Sequence, residues 1–166
     1  MPRKLCLVSI VIVIATALAG CGGSSNGSSS ASPPTGRQKL VAQADPLCKL
    51  ITAQRAAANA EVSKARASTA KTLAALARFA PAVGEVEHHV IVRLHTLKAP
   101  ASLASDWQTL LAGMEQLARD ATQIGEHAKA HDYKAIVTLT SSGRKVRKQL
   151  TSIATRDGFT YCGRTS

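Results

Sequence analysis

Glu85 and His88 are the residues in the middle of the chain with the clearest capacity for metal chemistry. Their three-residue spacing places a carboxylate and an imidazole on one helix face, as in di-iron helical bundles. Such a site also needs a second copy of the pair and inward glutamates on two further helices. The sequence does not supply these, so it predicts a solvent-exposed polar face here.

The other side chains that could bind a metal ion are the five histidines, His88, His89, His95, His127 and His131. The last two are four residues apart and would share a helix face. If neighbouring helices run antiparallel, however, His127 lies opposite the beginning of the preceding helix rather than beside His95. Zinc needs at least three convergent protein ligands, so we predict no metal site.

Two serines precede a lysine by three residues, Ser68 before Lys71 and Ser142 before Lys145. This spacing occurs in the nucleophilic motif of penicillin-binding proteins and β-lactamases, but the sequence lacks the partner motifs of those enzymes. It also lacks a phosphate-binding loop and a nucleophile elbow. We therefore expect a noncatalytic protein without a cofactor.

The densest group of positive charges is Arg144, Lys145, Arg147 and Lys148. The whole chain is basic, with 21 Lys and Arg against 10 Asp and Glu, and such a balance favours polyanions as partners. These four residues are therefore candidates for contact with anionic lipid headgroups or an acidic wall polymer. The alternative is a solvent-exposed helix face without a partner.

Residues 1–20 have the three zones of a signal peptide. Arg3 and Lys4 form a short basic region, an apolar run extends from Leu5 to Leu18, and small residues follow. The apolar run is shorter than the roughly 20 residues that a membrane-spanning helix needs. We therefore expect a cleaved export signal rather than a permanent membrane helix.

The sequence Leu18-Ala19-Gly20-Cys21 resembles the lipobox of bacterial lipoproteins. The resemblance implies transfer of diacylglycerol to the Cys21 thiol and cleavage just before this residue. Two acyl chains suffice for stable anchoring, whereas a single chain binds a membrane only marginally. We therefore expect attachment to the outer face of the cell membrane, an address that argues against nucleic acid as a partner.

A Gly-, Ser- and Pro-rich stretch follows the modified cysteine, so residues 21–36 are predicted to be the lipidated residue and a flexible linker. Residues 37–166 form the predicted domain. Aromatic residues make up only 3% of the chain, and apolar residues recur at spacings of three and four. The domain is therefore predicted to be all-α, an antiparallel up-down four-helix bundle.

Local signals predict where the four helices begin and end. The first helix is predicted from Pro46, capped by Asp45, to about Arg66, with Leu47, Leu50, Ile51, Ala58 and Val62 facing inward. The second contains a heptad repeat from Leu76 to Leu97, kinks or splits at Pro81 and ends at Ala99-Pro100. The third runs from about Ser102 to Ala130. The fourth is capped by Asp132, ends at Gly158 and turns Ile136, Val137, Thr140, Gly143, Val146, Leu150 and Ile153 inward.

Cys48 and Cys162 are the two cysteines that remain in the domain, since Cys6 lies in the signal peptide and Cys21 is the lipidation site. In an up-down bundle, the beginning of the first helix and the end of the fourth lie at the same end. An even cysteine pair in an oxidising compartment predicts a disulfide. A redox-active or metal-binding pair would instead favour Cys-x-x-Cys spacing.

The chain as a whole resembles small, Ala-rich, uncharacterised lipoproteins of high-GC Gram-positive bacteria that carry one helical bundle closed by a cysteine pair. That resemblance implies a fold and a location, but no activity. We expect a noncatalytic binding or accessory module of the cell envelope, whose partner is anionic lipid, wall polymer or an envelope protein. The alternative is a carrier or sensor of a metal or a small apolar ligand within the bundle.

Overall fold

The structure, a computed structural model, describes residues 33–163, which contain four long helices and no strand. The helices are α1 (Gly36–Lys64), α2 (Thr69–His95), α3 (Ala104–Lys129) and α4 (Tyr133–Asp157). Each packs against the next along the chain, most extensively α2 against α3. The predicted all-α, antiparallel up-down four-helix bundle is confirmed.

Helix α1 begins at Gly36, well before the start predicted at Pro46. Thr35 caps it: the Gln38 backbone N–H donates to the Thr35 hydroxyl, and the Thr35 N–H donates to the Gln38 side chain. Pro46 lies inside the helix at the cost of one backbone hydrogen bond. The helix continues through it because Leu40 and Ala44 extend the buried stripe by further turns.

Asp45, predicted to cap α1, instead binds the chain after α4. Its carboxylate accepts hydrogen bonds from the backbone N–H groups of Thr160, at 2.8 Å, and Tyr161, at 3.0 Å. Three residues along α1, Cys48 forms the predicted disulfide with Cys162. The end of the chain is therefore held to α1 by a covalent bond and by charge-assisted hydrogen bonds.

Helix α2 runs uninterrupted through Pro81, so it does not split there, and it ends at His95 rather than at Ala99-Pro100. The ring of Pro81 packs directly on Gly125 of α3, where a Cβ atom would overlap it. The absence of a side chain at Gly125 therefore lets α2 and α3 approach closely at the proline.

The predicted limits of helix α4 are confirmed. The Ala135 backbone N–H donates to the Asp132 carboxylate at 3.0 Å. At the other end, Gly158 has a φ of 83°, and the Phe159 N–H donates to the Ala154 carbonyl. These are the hydrogen bonds of a Schellman cap, which favours glycine at the left-handed position.

The core consists of two separate hydrophobic clusters. The larger one surrounds the disulfide and includes Trp107 stacked on Phe159, with ring centroids 5.7 Å apart. The smaller one lies near the α3–α4 connection and contains Leu73, Ala128 and Ile136. The bundle is thus well packed at both ends.

Two residues predicted to face the core are exposed instead, Leu50 by 51% and Val137 by 66%. Leu50 directly precedes the buried Ile51, and Val137 directly follows the buried Ile136. Adjacent helical residues point about 100° apart, and Leu50 and Val137 lie on the side of the isoleucine that no neighbouring helix covers. None of the helices in residues 33–163 combines the length and apolar character of a membrane-spanning segment.

Candidate functional site

A cavity of about 390 Å³ lies between the two core clusters. Leu117 of the larger cluster lines it, as do Leu76, Ile124 and Ile136 of the smaller one. All four helices contribute to its wall. We call it the inter-helix cavity, and its position explains why the core is not continuous.

On one side of the cavity lie α1 and α4, which make little direct contact with each other. From α1, Arg55, Ala58 and Asn59 line the cavity, and from α4, Gly143 and Arg147 do so. Ala58 and Gly143 are small, which leaves room between the helices.

Most of the cavity wall is apolar, but one part carries four charged side chains. Each helix supplies one of them: Arg55 from α1, Glu87 from α2, Asp120 from α3 and Arg147 from α4. We call these residues the charge quartet. The formal charges within it cancel, so the site is strongly polar without net charge.

Glu87 is the most deeply buried member of the quartet, with 1% of its side chain exposed. Its Oε1 atom accepts a hydrogen bond from Arg55 Nε at 2.5 Å. Its Oε2 atom is buried and has no hydrogen-bond partner among the described residues. An unsatisfied buried polar group costs roughly 1 to 3 kcal/mol, and more when it is charged.

Asp120 repeats this pattern on α3, since its Oδ2 atom is also buried without a partner among residues 33–163. Burial raises the pKa of the Asp120 carboxyl above its ordinary value, against the opposing positive charges of Arg119 and Arg147. The residues that line the cavity therefore include two carboxylates, each with one buried oxygen that has no hydrogen-bond partner among residues 33–163.

Arg147 supplies donors to the same region. It forms no ion pair with the described residues, although Glu87 and Asp120 lie near enough to interact electrostatically. Burial lowers the pKa of its guanidinium, and the like charge of Arg55 lowers it further. The fork of N–H groups on Arg147 is thus available to an acceptor in the cavity.

Gly143 makes room where Asp120 and Arg147 meet. A Cβ atom at this position would lie 3.7 Å from Arg147 Nη1 and 3.7 Å from Asp120 Oδ2. Both distances are ordinary van der Waals contacts, so a methyl group fits there without displacing the helix. It would occupy space next to both charged groups.

The four basic residues singled out in the sequence are not equivalent in the structure. Arg144, Lys145 and Lys148 are exposed, and none has an acidic partner within residues 33–163. Arg147 is half-buried and belongs to the charge quartet. The exposed basic surface of α4 therefore consists of three residues, and the fourth faces the cavity.

The histidines do not converge. His95 contacts Glu115 at 2.7 Å and His127 lies 3.4 Å from Asp132, both as pairs near the surface. His88, from the Glu-x-x-His pair, is exposed. The part of the chain that the structure describes contains no group of three metal-binding side chains. Cys21, the predicted lipidation site, lies outside the described residues.

Sequence reasoning missed Arg55, Glu87 and Asp120: Glu87 lies in the stretch predicted to be an exposed polar face, and Arg55 and Asp120 were not singled out. The signal that identifies them is a charge inside an apolar stripe. Glu87 lies four residues after Val83 and three before Val90, both of which are buried. A charged residue in that phase must point inward, where it needs a partner or an internal polar site.

No protein-family model, curated protein or solved structure matches this chain. The inter-helix cavity and its charges are therefore the features on which a function can be based.

Proposed function

We propose that this protein is a lipid-anchored, extracytoplasmic binding protein that holds a small amphiphilic molecule in its inter-helix cavity, without catalysing a reaction. The observation that carries the proposal is the Oε2 atom of Glu87, a residue of the mostly apolar cavity wall, which is buried without a hydrogen-bond partner among residues 33–163. A cavity that served only packing would be expected to be apolar or filled.

The size of the cavity favours a small ligand. Ligand sites in proteins usually enclose about 300 to 1,000 Å³, and the inter-helix cavity lies near the lower limit of that range. Its wall has the usual composition of such sites, mostly apolar with a few convergent polar groups. A molecule with an apolar body and one polar head matches both parts of the wall.

The energetic cost of the charge quartet supports the same function. Buried ion pairs are often no more stabilising than apolar residues of similar volume, and here two carboxylate oxygens also remain without partners within residues 33–163. Binding would supply the missing hydrogen bonds. The quartet therefore serves recognition better than it serves stability.

Binding can be tested with residues 22–166, since residues 33–163 contain both core clusters and the disulfide that closes the bundle. The apolar fluorophore aminoanthracene should bind saturably, at one molecule per chain. Ala80→Phe fills the cavity wall on α2 and should abolish binding, whereas Ala74→Phe, at an exposed position on the same helix, should not. Binding that survives Ala80→Phe would contradict the proposal.

The membrane anchor is tested separately. Mass spectrometry of the native protein should find a diacylglycerol-modified Cys21 at the mature N-terminus. A Cys21→Ala variant lacks the thiol and should carry no diacylglycerol. An intact, unacylated N-terminus in the native protein would refute the anchor and leave the cavity unaffected.

A second function is favoured by the exposed residues Arg144, Lys145 and Lys148, which have no acidic partners in the described part of the chain. Each positive charge near an anionic membrane adds about 1 kcal/mol of attraction. The protein should therefore bind phosphatidylglycerol vesicles in low salt, and changing the three residues to Gln should remove this binding. If the partner is an acidic wall polymer, the protein should bind that polymer in low salt without vesicles, and the same three substitutions should remove the binding.

A further inference from the structure

We infer that the inter-helix cavity selects a ligand whose head group is uncharged and both donates and accepts hydrogen bonds, such as a primary amide or a pair of hydroxyl groups. The inference rests on the proposed function, since it specifies which amphiphile the cavity binds.

The first step concerns charge. Arg55 and Arg147 balance Glu87 and Asp120, so a charged head group would leave a net charge in a partly desolvated region. Such an unbalanced charge costs several kcal/mol in a protein interior. A neutral head group leaves the balance of the quartet unchanged.

The second step concerns hydrogen bonds. Glu87 Oε2 and Asp120 Oδ2 are buried acceptors without partners among residues 33–163, so a head group that reaches either of them must donate. The guanidinium of Arg147 has N–H groups without an ion-pair partner there, so the head group must also accept. A carboxylate offers only acceptors and an ammonium only donors. An amide or a diol offers both.

The third step places the head group. Asp120 Oδ2 and Arg147 Nη1 are equally distant from the position of a Cβ atom on Gly143. A head group that bridges these two side chains would lie beside the bare backbone of Gly143. The apolar body would then extend toward Leu76, Ile124 and Ile136, which also line the cavity.

The test compares three probes with the same chain and different heads: decanamide, decanoate and decylammonium. Each competes with aminoanthracene for residues 22–166. Loss of one hydrogen bond to a charged group costs about 1.5 to 3 kcal/mol, which corresponds to roughly tenfold or more in affinity. Decanamide should therefore displace the fluorophore at about tenfold lower concentration than either charged probe.

Two variants should reverse that preference. Arg147→Met leaves the site with a negative charge and should make decylammonium the strongest competitor. Asp120→Asn leaves a positive charge and should favour decanoate. Gly143→Ala, which adds only a methyl group beside Asp120 and Arg147, should weaken decanamide about tenfold. Circular dichroism confirms that each variant is folded.

The outcomes separate this inference from the proposed function. If aminoanthracene binds but the three probes compete equally or not at all, the selection of an uncharged head is wrong and the binding cavity stands. If the preference does not change in either charge variant, the role assigned to the quartet is wrong. If neither the fluorophore nor any probe binds, the proposed function fails as well.

Discussion

Replacing Arg55 by Met should destabilise the protein more than any other single change in the charge quartet. Arg55 is the only described partner of Glu87, whose side chain is 1% exposed. The variant therefore leaves a carboxylate buried with neither oxygen paired. Removing one partner of a buried ion pair typically costs 3 to 5 kcal/mol, and we expect a loss of about this size.

The reverse change should cost less. Glu87→Met leaves Arg55 without its partner, but 15% of the Arg55 side chain remains exposed and can be hydrated. The methionine also adds apolar volume beside the cavity. We expect a loss of about 1 to 3 kcal/mol, the usual cost of leaving a polar group unsatisfied.

The variant with both changes should be about as stable as the wild type, because no buried charge of the pair is left unpaired and apolar replacements of buried ion pairs are often neutral or stabilising. Arg147 and Asp120 still balance each other. The two losses should therefore not add, which gives a coupling free energy of at least about 4 kcal/mol in magnitude.

The measurement is urea unfolding of oxidised residues 22–166 without ligand, followed by far-ultraviolet circular dichroism. Equal m-values across the four proteins are required, so that the midpoints report stability alone. Arg55→Lys serves as the control, since it keeps the charge and should lose less than Arg55→Met. If the double variant loses as much as the two single variants combined, the pair is not coupled and the cost assigned to the quartet is wrong.

Three further predictions concern the ends of the bundle, its glycines and its pH dependence. Changing Cys48 and Cys162 to Ala should lower the free energy of unfolding by about 4 to 5 kcal/mol in the chain-entropy model, because the bond closes a loop with a sequence separation of 114; an unchanged urea midpoint would contradict this. Gly143→Ala should raise the free energy of unfolding by about 0.5 to 1 kcal/mol, since alanine is the better helix former and fits the space. Gly125→Ala should lower it by about 1 to 3 kcal/mol, because the new methyl group overlaps a proline ring on α2; thermal unfolding should shift in opposite directions for the two variants. Because the pKa of Asp120 is raised, its carboxyl binds a proton more readily in the folded protein than in the unfolded chain. The ionised carboxylate therefore lowers the free energy of unfolding above the folded pKa. This loss disappears as the pH falls toward 3.8, the ordinary pKa, at which the unfolded chain also takes up the proton. The stability of the wild type relative to Asp120→Asn should therefore rise on acidification, and a relative stability that falls would refute the assigned direction.

Local chemistry explains why some helix ends could be read from the sequence and others could not. Asp132 and Gly158 act on backbone groups within a few residues, so their capping roles were visible in the linear pattern. Asp45 before Pro46 carries the same kind of local signal. In the folded chain, however, its carboxylate binds backbone N–H groups of Thr160 and Tyr161, more than a hundred residues away. A contact of that range competes with the local cap and cannot be read from neighbouring residues.

The sequence predicted the edge of the buried side of a helix only to within about one residue. The apolar spacing correctly indicated which side of α1 and α4 faces the core, but Leu50 and Val137 lie at the edge of that side and are exposed. Packing of the neighbouring helices decides where the edge falls. For the same reason, Arg147 could be assigned to the basic surface from its spacing, although it lines the cavity.

Periodicity, composition and the cysteine pair were sufficient to predict an all-α bundle of four helices closed by a disulfide, because each of these signals depends on residues close in sequence or on simple antiparallel order. The predicted signal peptide and the predicted lipidation of Cys21 also rest on a local motif, and both stay predictions. The charge quartet has a different origin. Arg55, Glu87, Asp120 and Arg147 lie on four different helices, and no local pattern relates them. They meet only because the rotation of each helix about its axis is set by packing against the others.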